Sequence, residues 1–599
     1  MRFVNPHLDP RAAYEQHLTA HRSRAAGLER DRARLGWGRV GVAVAGLAIA
    51  AAVVLKFLSL WWLLVPALGL VALSVQFGRA TGQLALARRA IAFHERGLNR
   101  VNESWQGKGE PGTAFLDDTH LYTPDLDIFG MGSLFERLCE ARTRVGQETL
   151  ATWLRGPAMP EAIRQRQSAV ADLRPRLNLR EQLAALGERV PAGIDTPALE
   201  RWVTSPPALP HRASKPLLHA LTLSLGVSLV LWAADVTGAI PVVAVLLLQS
   251  LFVAWHLGRT AKVLSGIDKR AADLAELSGI LARIEREPFQ SPHLVRLQES
   301  LRAGGEPPSR QLTRLANLID LLNARRNQFF FPFALLLMWG TRMAYSIEAW
   351  RLQCARAVGA WFHVMGEAEA LLSLAGYAFE NPADPFPEIA EAGPVYEGIA
   401  LGHPLLPRSH CVRNDLNLGD PLRLLVVSGS NMSGKSTWLR TVGVNAVLAL
   451  AGAPVCAERL RISPLAIGAT LRIQDSLMAG KSRFYAEITR IHRIVETAKG
   501  HLPLLFLLDE LLHGTNSHDR GIGAAAIVRT LVERGAIGLI TTHDLALAPI
   551  AENLGPRAAN VHFADHLIDD RMTFDYRMRP GVVRHSNAIA LMRAVGLPV

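Results

Sequence analysis

The stretch Leu424-Leu-Val-Val-Ser-Gly-Ser-Asn-Met-Ser-Gly-Lys-Ser-Thr437 constrains this chain more than any other. Gly429, Gly434, Lys435 and Ser436 satisfy the G-x-x-x-x-G-K-[ST] phosphate-loop pattern. The apolar run Leu424 to Val427 reads as a buried parallel strand, and Thr437 to Leu450 reads as a helix. A glycine-rich turn between strand and helix presents backbone N–H groups and a helix N-terminus to a polyphosphate. Gly429, Ser430, Asn431, Met432, Ser433, Gly434, Lys435, Ser436 and Thr437 are therefore expected to bind ATP. Lys435 is expected to reach the β- and γ-phosphates, and the Ser436 hydroxyl to ligate Mg²⁺. The bland alternative, a glycine-rich turn without a ligand, is disfavoured by a full motif in strand–helix context.

Leu504-Leu-Phe-Leu-Leu-Asp-Glu510 is an apolar strand ending in two carboxylates, the pattern of a Walker B element. Asp509 is expected to hold Mg²⁺ through water, and Glu510 to orient or deprotonate the attacking water. A third strand, Ala536–Thr541, leads to Thr542-His543-Asp544, where His543 can contact the γ-phosphate and sense its loss. A lone histidine is more often structural; its position after Walker B favours the functional reading. Gly514-Thr-Asn-Ser-His-Asp519 suits a loop crossing a subunit boundary. Ala479-Gly-Lys-Ser-Arg-Phe-Tyr-Ala-Glu487 lies between the two motifs, and its Gly480 and Ser482 at a helix start can contact a phosphate across a dimer.

The remainder of the chain bears on where such a site resides. At 599 residues several domains are expected. The four cysteines (Cys139, Cys354, Cys411, Cys456) form no C-x-x-C pair, which argues against a disulfide framework or a zinc site built on them. The net charge of +12 suits nucleic acid or anionic lipid, although an arginine-rich composition alone produces the same value.

Residues 1–35 read as a polar, arginine-rich helix, too long and too charged for an export signal. Val40 to Phe77 is almost wholly apolar, about twice the length of one membrane span. Two helices are expected, Val40–Leu55 and Leu58–Phe77, joined near Lys56 with Trp61 and Trp62 at the far interface. A second hairpin is expected at Pro216–Ala234 and Val236–Trp255. Positive charge gathers at the outer ends of both: Arg34, Arg39, Arg79, Arg88 and Arg89, then Arg212, Lys215, Arg259 and Lys262. The positive-inside rule places those ends in the cytoplasm, on a multi-pass protein of the cytoplasmic membrane. A third apolar run, Phe329–Trp339, is too short to span and reads as a core helix or a membrane-surface contact. Asp125 to Trp202 is helical in pattern. Ile267, Leu274, Leu277, Leu281 and Ile284 suggest one long amphipathic helix broken at Gly304-Gly305, and Gln311 to about Glu380 a further long helical region. Asn381–Pro387 reads as a linker.

The order of motifs resembles the MutS family of DNA mismatch-repair ATPases. Gly429-Ser-Asn-Met-Ser-Gly-Lys-Ser436 is similar to the family's phosphate loop, with the Asn431-Met432 pair. Ser482-Arg-Phe-Tyr-Ala-Glu487 echoes its signature, Asp509-Glu510 with Gly514-Thr515 its Walker B segment, and Thr542-His543 its Thr-His. Gly402-His-Pro404 and Asn414-Asp415 resemble the opening of its ATPase domain; Pro580-Gly581, Ser586 and Gly596-Leu-Pro598 resemble its closing segment. Ser133-Leu134, Thr143, Gly146, Leu150, Trp153-Leu154, Pro157, Ile163, Arg166-Gln167 and Val170 echo the start of its lever domain.

The resemblance implies an α/β P-loop (ABC-type) ATPase domain joined to an all-α core and lever region, here with two transmembrane hairpins. The expected divisions are a helix at 1–35, hairpins at 36–80 and 213–260, helical core at 81–212 and 261–383, and the ATPase at 384–599. It implies a homodimer that sandwiches two nucleotides, Lys435, Ser436, Asp509, Glu510 and His543 coming from one chain and Ser482 from the other. Duplex or branched DNA and the lipid bilayer are the further expected partners. The family's mismatch-reading domain and its Phe-x-Glu wedge find no counterpart, nor does a clamp domain or a C-terminal helical dimerisation module before Val599. Arg483 and His513 replace residue types that the family favours. ATP hydrolysis is therefore the expected activity, with DNA binding beside it. An ATP-driven switch acting on a membrane or protein partner is the alternative. A transporter is disfavoured by four short spans and the lack of a Leu-Ser-Gly-Gly-Gln signature.

Overall fold

The computed structural model describes residues 9–583, except 187–195, 210, 266, 268–270, 303–304, 431, 472–482, 513–515, 545–546 and 569–570. The polar N-terminal segment and the first apolar run form one uninterrupted helix, α1 (Pro10–Val54), where two elements are expected. Asp9 caps it, with its side chain accepting from the Arg11 N–H, and Pro10 occupies the first helical position. No proline follows before Pro66, so nothing forces a break at the change of composition. A turn carrying exposed Trp61 and Trp62 leads into α2 (Leu64–Val101), which packs antiparallel along α1.

A non-helical stretch then buries Leu126, Ile128 and Phe129 before α3 (Leu134–Leu138), α4 (Arg144–Arg155), α5 (Pro160–Leu173), α6 (Leu177–Leu186) and α7 (Thr196–Thr204). The second hairpin is α8 (His211–Ala233) and α9 (Ile240–Leu264); Val236, expected to open its second helix, lies in the turn. Among the described residues, four helices are long and apolar enough to cross a membrane, by length and composition: α1, α2 with its preceding turn, α8 and α9.

The expected long helix from Ile267 is shorter. It is α10 (Ala271–Arg286), and it ends before Glu287-Pro288 because the residue preceding proline avoids helical backbone. α11 (Pro292–Arg302) intervenes before Gly304. The region Gln311–Glu380 divides into α12 (Pro308–Asn323), α13 (Phe331–Leu336), α14 (Trp339–Cys354) and α15 (Val358–Glu380). Met338, with φ of 45°, makes the corner between α13 and α14. α13 is not a core helix: Phe329, Phe331, Phe333 and Leu335 are all exposed. α15 is its opposite, buried almost all round, with α4, α5, α7 and α11 packed about it.

The C-terminal portion is built on two sheets. β1 (Glu388–Ile389), β2 (Tyr396–Leu401) and β3 (Asn414–Leu418) precede β4 (Leu424–Ser428), α16 (Lys435–Ala451), β5 (Arg459–Ile462) and β6 (Ala466–Thr470). Then come α17 (Arg483–Thr497), β7 (Leu504–Leu508), α18 (Ser517–Glu533), β8 (Ile537–Thr542), α19 (Pro549–Leu554), β9 (Ala558–Ile568) and β10 (Arg571–Pro580). The larger sheet runs β10-β9-β4-β8-β7-β6, parallel except for the β9–β10 pair. Its central strands β4, β7 and β8 are buried along their whole length, as a covered parallel sheet requires. Leu425 and Val427 join a core continuous with the helical bundle, whereas Leu424 and Val426 join the cluster beneath α17 and α18.

Candidate active site

The register sets the site before any side chain is considered. Ser428 at the end of β4 pairs with Thr542 of β8, and Leu508 at the end of β7 pairs with Ile540. The phosphate-loop segment, Asp509-Glu510 and His543 therefore leave the same edge of the sheet side by side. In open α/β sheets that edge is where ligands bind.

Gly429 has φ of 149° and Gly434 φ of 99°, so the loop uses backbone that other residues rarely adopt. A Cβ at Gly429 would stand 2.8 Å from Ser433 Oγ and 2.9 Å from the Phe563 carbonyl oxygen. Met432 adopts φ of 70° with its side chain exposed. Lys435 opens α16 and is buried; its Nζ donates to the carbonyls of Gly429 (2.9 Å) and Ser430 (2.8 Å). Burial lowers its pKa, while Glu510 and Asp509 oppose that shift. The hydroxyls of Ser430 and Ser433 are buried with no hydrogen-bond partner. Such groups are costly to leave unpaired and mark a place where a ligand's acceptor oxygens fit.

Across the cleft, Thr541 holds both acidic residues. Its hydroxyl donates to Asp509 Oδ1 and accepts from the Glu510 N–H at 3.1 Å. Glu510 itself has φ of 46°, a second strained non-glycine position at the site. His543 Nδ1 lies 3.2 Å from Glu510 Oε1, and both side chains are part-exposed. The cleft has a volume of about 780 Å³ and is lined by Lys435, Ser436, Thr437, Asp509, Glu510 and Met432. His403, Leu406, Val412, Phe563 and Tyr576 also line it, Tyr576 standing against Gly434 and Phe563 against Gly429. Burial, with Arg440 adding to it, pushes the His403 imidazole down to about 4, so it is neutral near pH 7.

The sequence-predicted residues thus converge, apart from Asn431 and Ser482, which lie outside the described residues, as do Gly480, His513, Gly514-Thr515, Ser586 and Gly596–Pro598. Glu487 is buried and accepts the Leu512 N–H at 2.6 Å, tying α17 to the chain after Glu510. Asn414 grips the β10 hairpin: its Nδ2 donates to the Tyr576 carbonyl (3.0 Å) and its Oδ1 accepts the Met578 N–H (2.7 Å). That bond holds Tyr576 over the cleft. Thr541 and Tyr576 escape a reading of the sequence, because each owes its place to strand register rather than to a motif.

The site is also joined to the helical core. Asp125, fully buried, accepts the Leu471 N–H at 2.7 Å and faces Arg490 Nη2 of α17 at 2.6 Å. Arg440 of α16 donates to the Asp125 carbonyl at 3.1 Å. One loop therefore contacts the helix that follows the phosphate loop and the helix that precedes Walker B.

A family profile described as MutS domain V matches residues 425–599. The chain is 36% identical over 205 residues to "DNA mismatch repair protein MutS 2" of Halobacterium salinarum and 33% identical over 208 residues to "Endonuclease MutS2" of Thermus thermophilus. Over this C-terminal portion, the chain is similar to the MutS family. A third relative, "DNA mismatch repair protein MutS" of Thermus aquaticus, is 35% identical over 199 residues. These alignments take in 33%, 34% and 33% of this chain, and only 23%, 27% and 24% of the respective relatives. The MutS domain V match takes in the glycine-rich loop, Asp509-Glu510 and His543, whereas His403, Leu406 and Val412 of the cleft precede it.

Proposed function

We propose that this MutS-family chain is a membrane-anchored ATPase that works as a dimer and binds DNA. The observation carrying the proposal is the convergence of Lys435, Asp509 and Glu510 on one cleft at the strand ends. The unpartnered Ser430 and Ser433 hydroxyls support a polyphosphate in the loop. Lys435 is poised to exchange its two loop carbonyls for β- and γ-phosphate oxygens. Ser436 and Asp509 are the residues that would hold Mg²⁺, which when bound neutralises charge on the β- and γ-phosphates. Glu510, fixed by Thr541, takes the proton of the attacking water, and His543 beside it responds to the γ-phosphate. Apolar side chains in the cleft lining, such as Leu406 and Val412, accept the base. Ser482 from a second chain completes the site. The four apolar helices support the bilayer as the place of work, and the likeness to DNA mismatch-repair and endonuclease relatives supports DNA as the ligand.

Glu510→Gln is the direct test. We expect ATP binding to persist while turnover falls by about 10²-fold or more, measured as phosphate release beside nucleotide retention. Undiminished hydrolysis would remove Glu510 from the chemistry. For DNA, retention of duplex in low salt with a steep loss on adding salt is expected. Protein that never retains DNA, yet hydrolyses ATP in liposomes, would favour the switch acting on a membrane or protein partner.

A further inference from the structure

Where the first hairpin meets the helical core, three imidazoles converge on one carboxylate. His17 and His21 lie one turn apart on α1, His94 faces them from α2, and Glu181 reaches in from α6. His17 Nδ1 is 3.3 Å from Glu181 Oε2, His21 Nε2 is 2.8 Å from Oε1, and His94 Nε2 is 2.9 Å from Oε2. One donor atom from each of the four residues falls within 4.8 Å of all the others.

A single His–Glu pair on a helix surface is an ordinary structural contact. Three histidines on one glutamate are more than docking requires, because Tyr14, Phe93, Leu177 and Ala184 already form an apolar patch between the same helices. His94 is fully buried, and that burial keeps its imidazole below the ordinary histidine range, in the neutral form that ligates metals. Burial opposes ionisation of Glu181, yet the hydrogen bonds from His17 and His94 and the nearby His21 hold its carboxyl well below the usual range. The cluster thus brings three imidazole nitrogens and one carboxylate to a single point.

We propose that His17, His21, His94 and Glu181 form a binding site for a divalent first-row transition metal, with Zn²⁺ the ion that best suits the donor set. Zinc takes nitrogen and carboxylate oxygen at about 2.0–2.2 Å in a tetrahedron, whose edges are then about 3.4 Å. The separations from Glu181 already approach that edge. No separation within the group exceeds 4.8 Å, a gap that side-chain adjustments of about 1 Å close. Imidazole donors exclude Mg²⁺, a hard cation that takes oxygen ligands, so this site does not compete for the ion of the nucleotide cleft. An adjoining cleft of about 380 Å³, bordered by His21, Glu181, Gln182 and Arg283, provides access. Bound metal would fasten α1, α2 and α6 at one point, joining the hairpin to the helical core.

The experiment uses full-length protein, purified in detergent without a polyhistidine tag, equilibrated with micromolar Zn²⁺ and then freed of unbound ion. Elemental analysis is expected to find a single zinc ion per chain, unaffected by millimolar Mg²⁺. Co²⁺ in its place is expected to give the visible absorption of tetrahedral nitrogen–oxygen coordination. His21→Ala and Glu181→Gln are expected to weaken binding by about tenfold or more, with helix content followed by circular dichroism. His363→Ala, an exposed histidine elsewhere on the helical core, leaves binding unchanged. Wild-type protein that retains no zinc overturns the proposal, and that measurement stands even where a substitution prevents folding. Zinc content unchanged in both His21→Ala and Glu181→Gln overturns it equally.

Discussion

Thr541 carries a role that no motif announces. Its single hydroxyl holds Asp509 on one side and the backbone of Glu510 on the other. Thr541→Ala removes both bonds and frees the strained Glu510 backbone. We expect kcat to fall by up to about 100-fold with ATP affinity near that of the wild type, and Thr541→Ser to restore it. Steady-state kinetics beside equilibrium nucleotide binding separate these outcomes. Glu369 makes a different residue-scale prediction, in the helical core. It is fully buried on α15, and burial pushes its carboxyl up to about 7 against hydrogen bonds from Thr143 and the Arg142 N–H. Its folded value lies above the ordinary 4.5, so the folded state favours the protonated form. Its contribution to stability is complete below about pH 4.5 and is lost as pH rises through 7. The wild type is expected to lose on the order of 3 kcal/mol relative to Glu369→Gln between pH 5 and 8, read from their melting curves.

Among the elements, α13 stands out for exposing what a short helix normally buries. Phe329, just before it, and Phe331, Phe333 and Leu335 within it are exposed, and the following α14 packs on the second hairpin, with Arg342 donating to Thr222 of α8 at 3.2 Å. Lipid is the environment in which such a surface costs nothing. Replacing the three phenylalanines with serine is expected to leave ATP turnover intact and to weaken retention of detergent-stripped protein on liposomes, measured by flotation. The elements also show what a sequence reveals and what it hides. The phosphate loop and Walker B strand were legible because backbone geometry dictates their spacing, down to the glycines that only positive φ explains. α1 and α10 were misjudged at their ends: changing composition does not stop a helix, whereas the Glu287-Pro288 step does. Thr541 and the three histidines were invisible for one shared reason. Their partners come from other strands and helices, and only register and packing bring them together.

For the whole molecule, the hairpins predict a topology. Under the proposed anchoring, both return the chain to its arginine-rich side, and the cleft, the helical core and all four native cysteines are expected in the cytoplasm. Cysteines introduced at Lys56 and Asp235, in the two turns, are expected to react with an impermeant maleimide added to intact cells. Cys139, Cys354, Cys411 and Cys456 are expected to stay unlabelled until the cells are opened. Labelling of neither turn would place the hairpins out of the membrane. The MutS domain V match spans residues 425–599, so both apolar hairpins lie outside it.

α1 runs 45 residues without a joint, a rod of about 68 Å at 1.5 Å per residue. One end stands against α6 and the other passes through its apolar stretch to the tryptophan turn. A stiff shaft has no slack: a few degrees of pivot at its inner end sweep the far tip sideways by several ångströms. Under the proposed anchoring, chemistry at the strand edge that swings the bundle would reach the lipid as a tilting oar rather than a slackening tether.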